Sequence, residues 1–138
     1  MILDSANAKR LILYFMYDKD GIVDDYVPYM LRELKKNSTE ILVVCNGKLT
    51  RESREKLQEV TPNVLVRENK GFDVWAYKTG LEYYGWDKIR SFDEVIMMNF
   101  TIMGPVYPLE EMFKTMDQRD LDFWGITMFH EYKEGDPF

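Results

Sequence analysis

At 138 residues, 46% hydrophobic and 30% charged, the chain has the length of one domain with a sizeable core and is too apolar for the disordered class. A formal net charge of −6 removes the basic face that general nucleic-acid binding needs, yet leaves room for one or two local cations to hold a phosphate. The single cysteine, Cys45, excludes a disulfide framework and, within the apolar run ILVVC, reads as a buried, inert thiol in a reducing compartment.

In chain order, residues 10–17 (RLILYFMY) form the first strand candidate, a run of large apolar and aromatic side chains ended by the turn Asp18-Lys19-Asp20-Gly21. A helix follows over about 24–36, with Tyr26, Tyr29, Met30, Leu31 and Leu34 inward and Pro28 early enough to be tolerated. Residues 40–45 make the second strand and Asn46-Gly47 its turn. Thr50, three residues before Ser53, is the N-cap candidate of a second helix that runs to about Val60 and buries Leu49, Leu57 and Val60. A short strand at 64–67 leads into the loop 68–72, and Asp73 then reads as the N-cap of a third helix, 74–84, closed by Gly85. Residues 94–98 (EVIMM) are the next strand, running into the loop Asn99 to Pro105, and residues 108–116 form a short helix. Residues 122–128 (DFWGITM) read as a last strand leading to His130, and the pairs Tyr83-Tyr84 and Phe123-Trp124 read as core.

Strands alternating with helices predict a three-layer α/β/α sandwich around a mostly parallel sheet. Right-handed crossovers put the C-terminal ends of all strands on one edge, where ligands of open α/β sheets bind. That edge collects Tyr17-Asp18, Asn46-Gly47, Glu68 to Asp73 and Asn99 to Pro105, which hold nearly all the unusual polar and glycine residues. In Asn69-Lys70-Gly71-Phe72-Asp73, glycine allows close backbone approach, a helix start exposes N–H groups and Lys70 adds a cation, so a diphosphate is a plausible guest. The plainer reading is an ordinary turn with Lys70 in solvent. Asn99-Phe100-Thr101 could reach into a cleft, or Asn99 could merely close an Asx turn. Glycine-rich cradles of the GxxxxGK(S/T) or GxGxxG type are absent from the sequence.

His130 is the one histidine, so two-histidine metal clusters and histidine–cysteine pairs are excluded, and it reads as a surface residue. Asp18, Asp20, Asp24 and Asp25 read as a solvated turn and helix start. A phospho-acceptor aspartate is the sharper alternative, but no lysine follows EVIMM or DFWGITM to complete it. No stretch approaches the roughly 20 apolar residues of a membrane span, and the first residues make no signal peptide. The ending Glu134 to Phe138 has neither a terminal helix nor a polar tail, which suggests a piece of a longer protein.

The segments RENKGFDVWAYKTGLEYY, DEVIMMNFTIMGPVYPLEEMF and DFWGIT, in that order and spacing, resemble the rhamnan synthesis protein F family of polysaccharide-assembly glycosyltransferases. The shared pattern is N-x-G-x-D, helix, strand, N-x-(S/T)-x-x-G-P, short helix and W-G-(I/L)-T, most specific between Arg67 and Thr127. The resemblance implies a GT-A, Rossmann-like nucleotide-sugar-binding domain over residues 1–138, truncated relative to the whole enzyme. It implies that Tyr17, Asp18, Asn46 and Gly47 hold the nucleoside, that Asn69, Lys70, Gly71 and Asp73 lie near the sugar diphosphate, and that Asn99, Thr101 and Gly104 complete the donor site. Asn99 and Thr101 stand where the family's fold usually carries an acidic motif for Mg²⁺ or Mn²⁺, so they are the metal candidates, without carboxylates. No catalytic base is assigned: Asp122, Glu131 and Asp136 are available, with no ground for choosing one.

The implied function is transfer of a deoxysugar, rhamnose-like, from a nucleotide-diphosphate donor to a polysaccharide or lipid-linked acceptor. The implied place is the cytoplasm, at the inner membrane face, with peripheral membrane contact through missing regions and no nucleic-acid partner. The alternative is a catalytically silent nucleotide-sugar- or partner-binding domain of the same fold.

Overall fold

The structure is a computed structural model, and it describes residues 1–127. Met128 of the expected last strand, together with His130, Glu131 and Asp136, lies outside the described residues. Eight elements follow in the order β1 (Arg10–Asp18), α1 (Tyr26–Lys35), β2 (Glu40–Gly47), α2 (Arg51–Gln58), β3 (Val64–Arg67), α3 (Phe72–Ile89), β4 (Glu94–Asn99) and α4 (Leu109–Asp117). The strands form one sheet in the order β3-β2-β1-β4, and every pair is parallel.

The central strand β1 is buried on both faces from Arg10 to Met16, and its run of apolar residues is what a parallel strand covered on two sides requires. Its side chains alternate between two cores. Ile12, Tyr14 and Met16 pack with Val27, Leu31 and Leu34 of α1 and with Leu57 of α2. Leu11, Leu13 and Phe15 pack on the opposite face with Ala76 of α3 and with Ile89. Three layers result, with α1 and α2 on one face and α3 on the other. Each large aliphatic side chain taken fully out of water here contributes about 1.5–3 kcal/mol. Helix α3 can lie close because its sheet-facing positions are small: a β-carbon on Gly80 would stand 3.0 Å from the Leu13 side chain.

Thr50 caps α2 as its sequence predicts, its side-chain oxygen accepting from the Ser53 N–H at 3.1 Å. Asp73, by contrast, does not cap α3. Gly71, in the left-handed region at φ 72°, holds the N-cap position, and Asp73 is already the second helical residue. Only glycine fits this N-cap, because a β-carbon there would overlap the Trp75 ring. Gly85 does interrupt the helix, at φ 73°, but helical turns resume beyond it to Ile89.

Residues 122–127 are not a strand. They lie across a trough from β4, with the Trp124 indole N–H donating to a Glu94 carboxylate oxygen at 2.6 Å. The strand pattern misled because Phe123 is 89% exposed and Ile126 46%, so this apolar run has no sheet face to bury. Tyr83 and Tyr29 are likewise about half exposed, not core, whereas Trp124 is partly buried against Phe113.

At the N-terminal end of β1 sits a charged cluster that hydropathy does not announce. Arg10, 2% exposed, pairs with Glu94 at 2.7 Å, with Asp117 of α4, and stacks on the Phe113 ring at 4.7 Å. The Ser5 hydroxyl donates to the second Asp117 oxygen at 2.6 Å. Burial works against the guanidinium charge, but its two carboxylates outweigh that and raise its pKa. This cluster ties the N-terminal segment, β1, β4 and α4 together at the edge of the sheet away from the loops of interest.

Candidate functional site

Chain order along the sheet reverses at β1: the chain runs outward through β2 and β3, then returns past β1 to β4. The C-terminal ends of β1 and β4 are therefore neighbours at the switch point of the sheet, with Phe15 beside Asn99 in register. Such a reversal of strand order is where open parallel sheets bind ligands at their strand ends. The Phe100 ring packs edge-on against Phe15 at 5.8 Å there, and the Tyr26 hydroxyl holds the Phe100 carbonyl at 2.9 Å.

On the β2 side, Asn46 is fully buried and organises the loop after β3. Its amide nitrogen donates to the Phe72 carbonyl at 3.1 Å and lies 3.5 Å from the Asn69 side-chain oxygen. Its own oxygen accepts from Arg67 at 2.7 Å, and the same Arg67 nitrogen reaches the Lys70 carbonyl at 2.9 Å. The Asn46 side chain is thus occupied in shaping the loop, and Arg67, which the sequence reading passed over, is its partner. Only the tertiary pairing of β2 with β3, which sets Asn46 beside Arg67, reveals this.

The loop so held presents Lys70 and Phe72 outward. Phe72 adopts φ 52°, rare for a bulky residue, and is 81% exposed. The Lys70 ammonium stands 5.2 Å from the centre of the Trp75 ring, over its face. Tyr17, 37% exposed, lies over Gly47: the β-carbon position of that glycine is 3.7 Å from the Tyr17 ring and 3.6 Å from the Asn69 β-carbon. Tyr17, Gly47, Asn69 and the Lys70–Trp75 pair therefore form one continuous surface with exposed aromatic faces and a cation.

Asp18 closes the turn after β1, one carboxylate oxygen accepting from the backbone of Ile22 at 2.8 Å and of Asp20 at 2.9 Å. The Ile22 N–H above all holds this carboxyl below the usual carboxylate range. Asp73 accepts from the Val74 N–H at 2.9 Å in the first turn of α3. Asn99 accepts from both the N–H of Thr101, at 3.1 Å, and its hydroxyl, which is the Asx-turn arrangement. Gly104, at φ 136°, precedes Pro105 through a cis peptide bond. With strands about 4.8 Å apart, the step from Arg67 on β3 to Asn99 on β4 is roughly 14 Å. The structure does not bring Asn99 and Thr101 into contact with the Asn46–Lys70 group.

As arranged, the residues do not fit a resident Mg²⁺ or Mn²⁺. The Asn99 oxygen is spent on Thr101, no carboxylate joins it, and among the described residues no group of three histidine, cysteine or acidic side chains is disposed to hold a metal. Cys45 is buried, and burial pushes its thiol up to about 12, so it is inert as expected. Among the described residues no helix is long and apolar enough to cross a membrane.

Two concavities lie beside this edge rather than on it. One, about 650 Å³, is the trough along β4, running from Asn99 and Ile102 at one end to Glu94 and Trp124 at the other. The second, about 1060 Å³, opens between α1, the N-terminal segment and α4. Compared with known proteins, the chain matches the family model described as rhamnan synthesis protein F over residues 41–137, a span containing β2 to α4 and both loops of the candidate site. No curated protein and no solved structure matches it.

Proposed function

The chain belongs to the rhamnan synthesis protein F family, and on that footing we propose that it is the donor-binding part of a glycosyltransferase that moves a rhamnose-like deoxysugar from a nucleotide diphosphate. The family membership carries a role in rhamnan synthesis; the donor and the reaction are our reading. The observation that supports it most is the reversal of strand order at β1, which brings Tyr17, the Asn46-held loop and Asn99 to one edge of a parallel sheet. On this reading the base lies against the exposed Tyr17 and the surface above Gly47. Lys70 and the backbone N–H groups opening α3 then face the diphosphate. Asp73, negative and adjacent, favours an orientation with the phosphates on the Lys70 side. The acceptor is a polysaccharide or a lipid-linked saccharide, worked on at the cytoplasmic membrane face.

A second reading, a silent nucleotide-sugar-binding domain, has its own observation behind it. The side chains of Asn99 and Thr101 bond to each other and bring no charge to a metal. Thermal-shift measurement against a panel of nucleotide sugars, with and without Mn²⁺, tests both readings. Donor binding predicts a rise in melting temperature that Lys70→Ala lowers, the lost charged contact weakening affinity roughly 10- to 100-fold. A shift with no accompanying transfer or hydrolysis supports the silent domain. If no nucleotide moves the melting temperature, donor binding fails.

A further inference from the structure

We propose, on the donor-binding reading above, that the donor's diphosphate is held without a divalent cation, its charge met by the guanidinium fork of Arg67 with Lys70 beside it. A metal-held diphosphate needs hard, charged oxygens at the strand end. Asn99 offers one neutral oxygen, and that oxygen already accepts from the Thr101 N–H at 3.1 Å and from the Thr101 hydroxyl. The phosphates need positive charge all the same, and side chains of the loop after β3 are placed to bring it.

Arg67 is the last residue of β3, half-buried, and its Nη1 donates to the Asn46 side-chain oxygen at 2.7 Å and to the Lys70 carbonyl at 2.9 Å. Both acceptors are neutral, so they fix the guanidinium plane and leave its charge uncancelled. Asn46 is fully buried and donates in turn to the Phe72 carbonyl at 3.1 Å, which ties the mount to the start of α3. Arg10 shows the contrast. Its guanidinium is committed to Glu94 and Asp117, whereas Arg67 makes no ion pair among the described residues. The Arg67 Nε and Nη2 bond to no protein acceptor among the described residues, and these donors match a pair of phosphate oxygens. The acids of the same loop do not neutralise it. Asp73 accepts from the Val74 N–H, and the exposed Glu68 pairs with neither cation. Lys70 rests over the Trp75 ring, 5.2 Å from its centre, a neutral seat from which a phosphate can draw its mobile ammonium. A fork already fixed in place loses little side-chain freedom on binding, which favours the anion further.

The test titrates the full chain with inorganic pyrophosphate, with nucleoside 5′-diphosphates and with the matching nucleosides, each in EDTA and in Mn²⁺, followed by calorimetry and thermal shift. Diphosphate affinity in EDTA should lie within about threefold of that in Mn²⁺ and should fall as salt rises. Arg67→Gln should weaken diphosphate and pyrophosphate binding about 10- to 100-fold and leave nucleoside binding unchanged. Arg67→Lys, which keeps the charge without the fork, should fall between the two and serves alone if the glutamine variant does not keep the wild-type melting temperature. A residue that only braces the loop would cost nucleoside and diphosphate alike, and that result overturns the assignment. Diphosphate binding seen only with Mn²⁺, or indifferent to both Arg67 variants, overturns it as well. The donor reading fails separately. If nucleoside diphosphates bind no tighter than pyrophosphate, the Arg67 anion site stands and the nucleotide is lost; if they bind without regard to Arg67, the donor site stands and the arginine is lost. No binding by pyrophosphate or any nucleoside diphosphate sinks both.

Discussion

Replacing Asp117 with alanine would leave the Arg10 guanidinium, 2% exposed, with one carboxylate where it now has two. Removing one partner of a buried ion pair costs about 3–5 kcal/mol, because the remaining charge stays out of water. Glu94 still holds the Arg10 Nε at 2.7 Å and is itself only 16% exposed, which places the expected loss near the lower bound, about 3 kcal/mol. For a chain of this size each kcal/mol moves the melting temperature by about 3–5 °C, so a drop of about 10 °C is expected. Part of that loss falls on α4, which Asp117 anchors to β1 and the N-terminal segment, so the groove beside α4 should loosen too. Urea unfolding followed by tryptophan fluorescence measures it, with Trp124 as a local reporter through its bond to Glu94. The companion triple variant Arg10→Leu/Glu94→Gln/Asp117→Leu removes all three charges of the cluster and should return to within about 2 kcal/mol of the wild type. A loss under 1 kcal/mol for Asp117→Ala, or a triple variant less stable than the single one, would refute the view that an unpaired buried charge is the cause.

Three further outcomes follow from the site. Gly71→Ala forces a β-carbon onto the Trp75 ring at a left-handed backbone position; it should cost at least about 1–2 kcal/mol and abolish the Lys70–Trp75 stack, read as a change in tryptophan emission. Asn46→Ala leaves Arg67 and the Phe72 carbonyl without their partner, so about 1–3 kcal/mol should be lost in denaturant unfolding and nucleotide affinity should fall with it; unchanged affinity would mean the loop is not part of the donor site. Cys45, protonated in the fold to about pH 12 and ionising near 9 when unfolded, contributes stability that is complete below pH 9 and is lost as pH rises toward 12. A thiol reagent at pH 8 should therefore label it only in denaturant, and alkaline unfolding should be shallower in Cys45→Ala.

The sequence by itself determined the elements and their layering. The unbroken apolar run of β1, the Thr50 cap and the short strand ending at Arg67 are local signals, set by side-chain pattern and backbone preference within a few residues. Parallel pairing and a loop-bearing edge follow from strand–helix alternation, since a crossover has one favoured hand. What only the tertiary structure decided depends on residues far apart in the chain. Arg10 reads in sequence as the first residue of a strand, and its burial becomes intelligible only when Glu94 and Asp117 arrive beside it. Asn46, expected to face a ligand, is turned inward by Arg67 and the Phe72 carbonyl. The run DFWGIT has the composition of a strand, but strand formation needs a partner edge and a face to bury, and residues 122–127 have neither in place. The loop after β3 shows the division most clearly. Its glycine and lysine were legible as a candidate phosphate site, while the helix cap at Gly71 rather than Asp73, packed so close to the Trp75 ring that only glycine fits, was not.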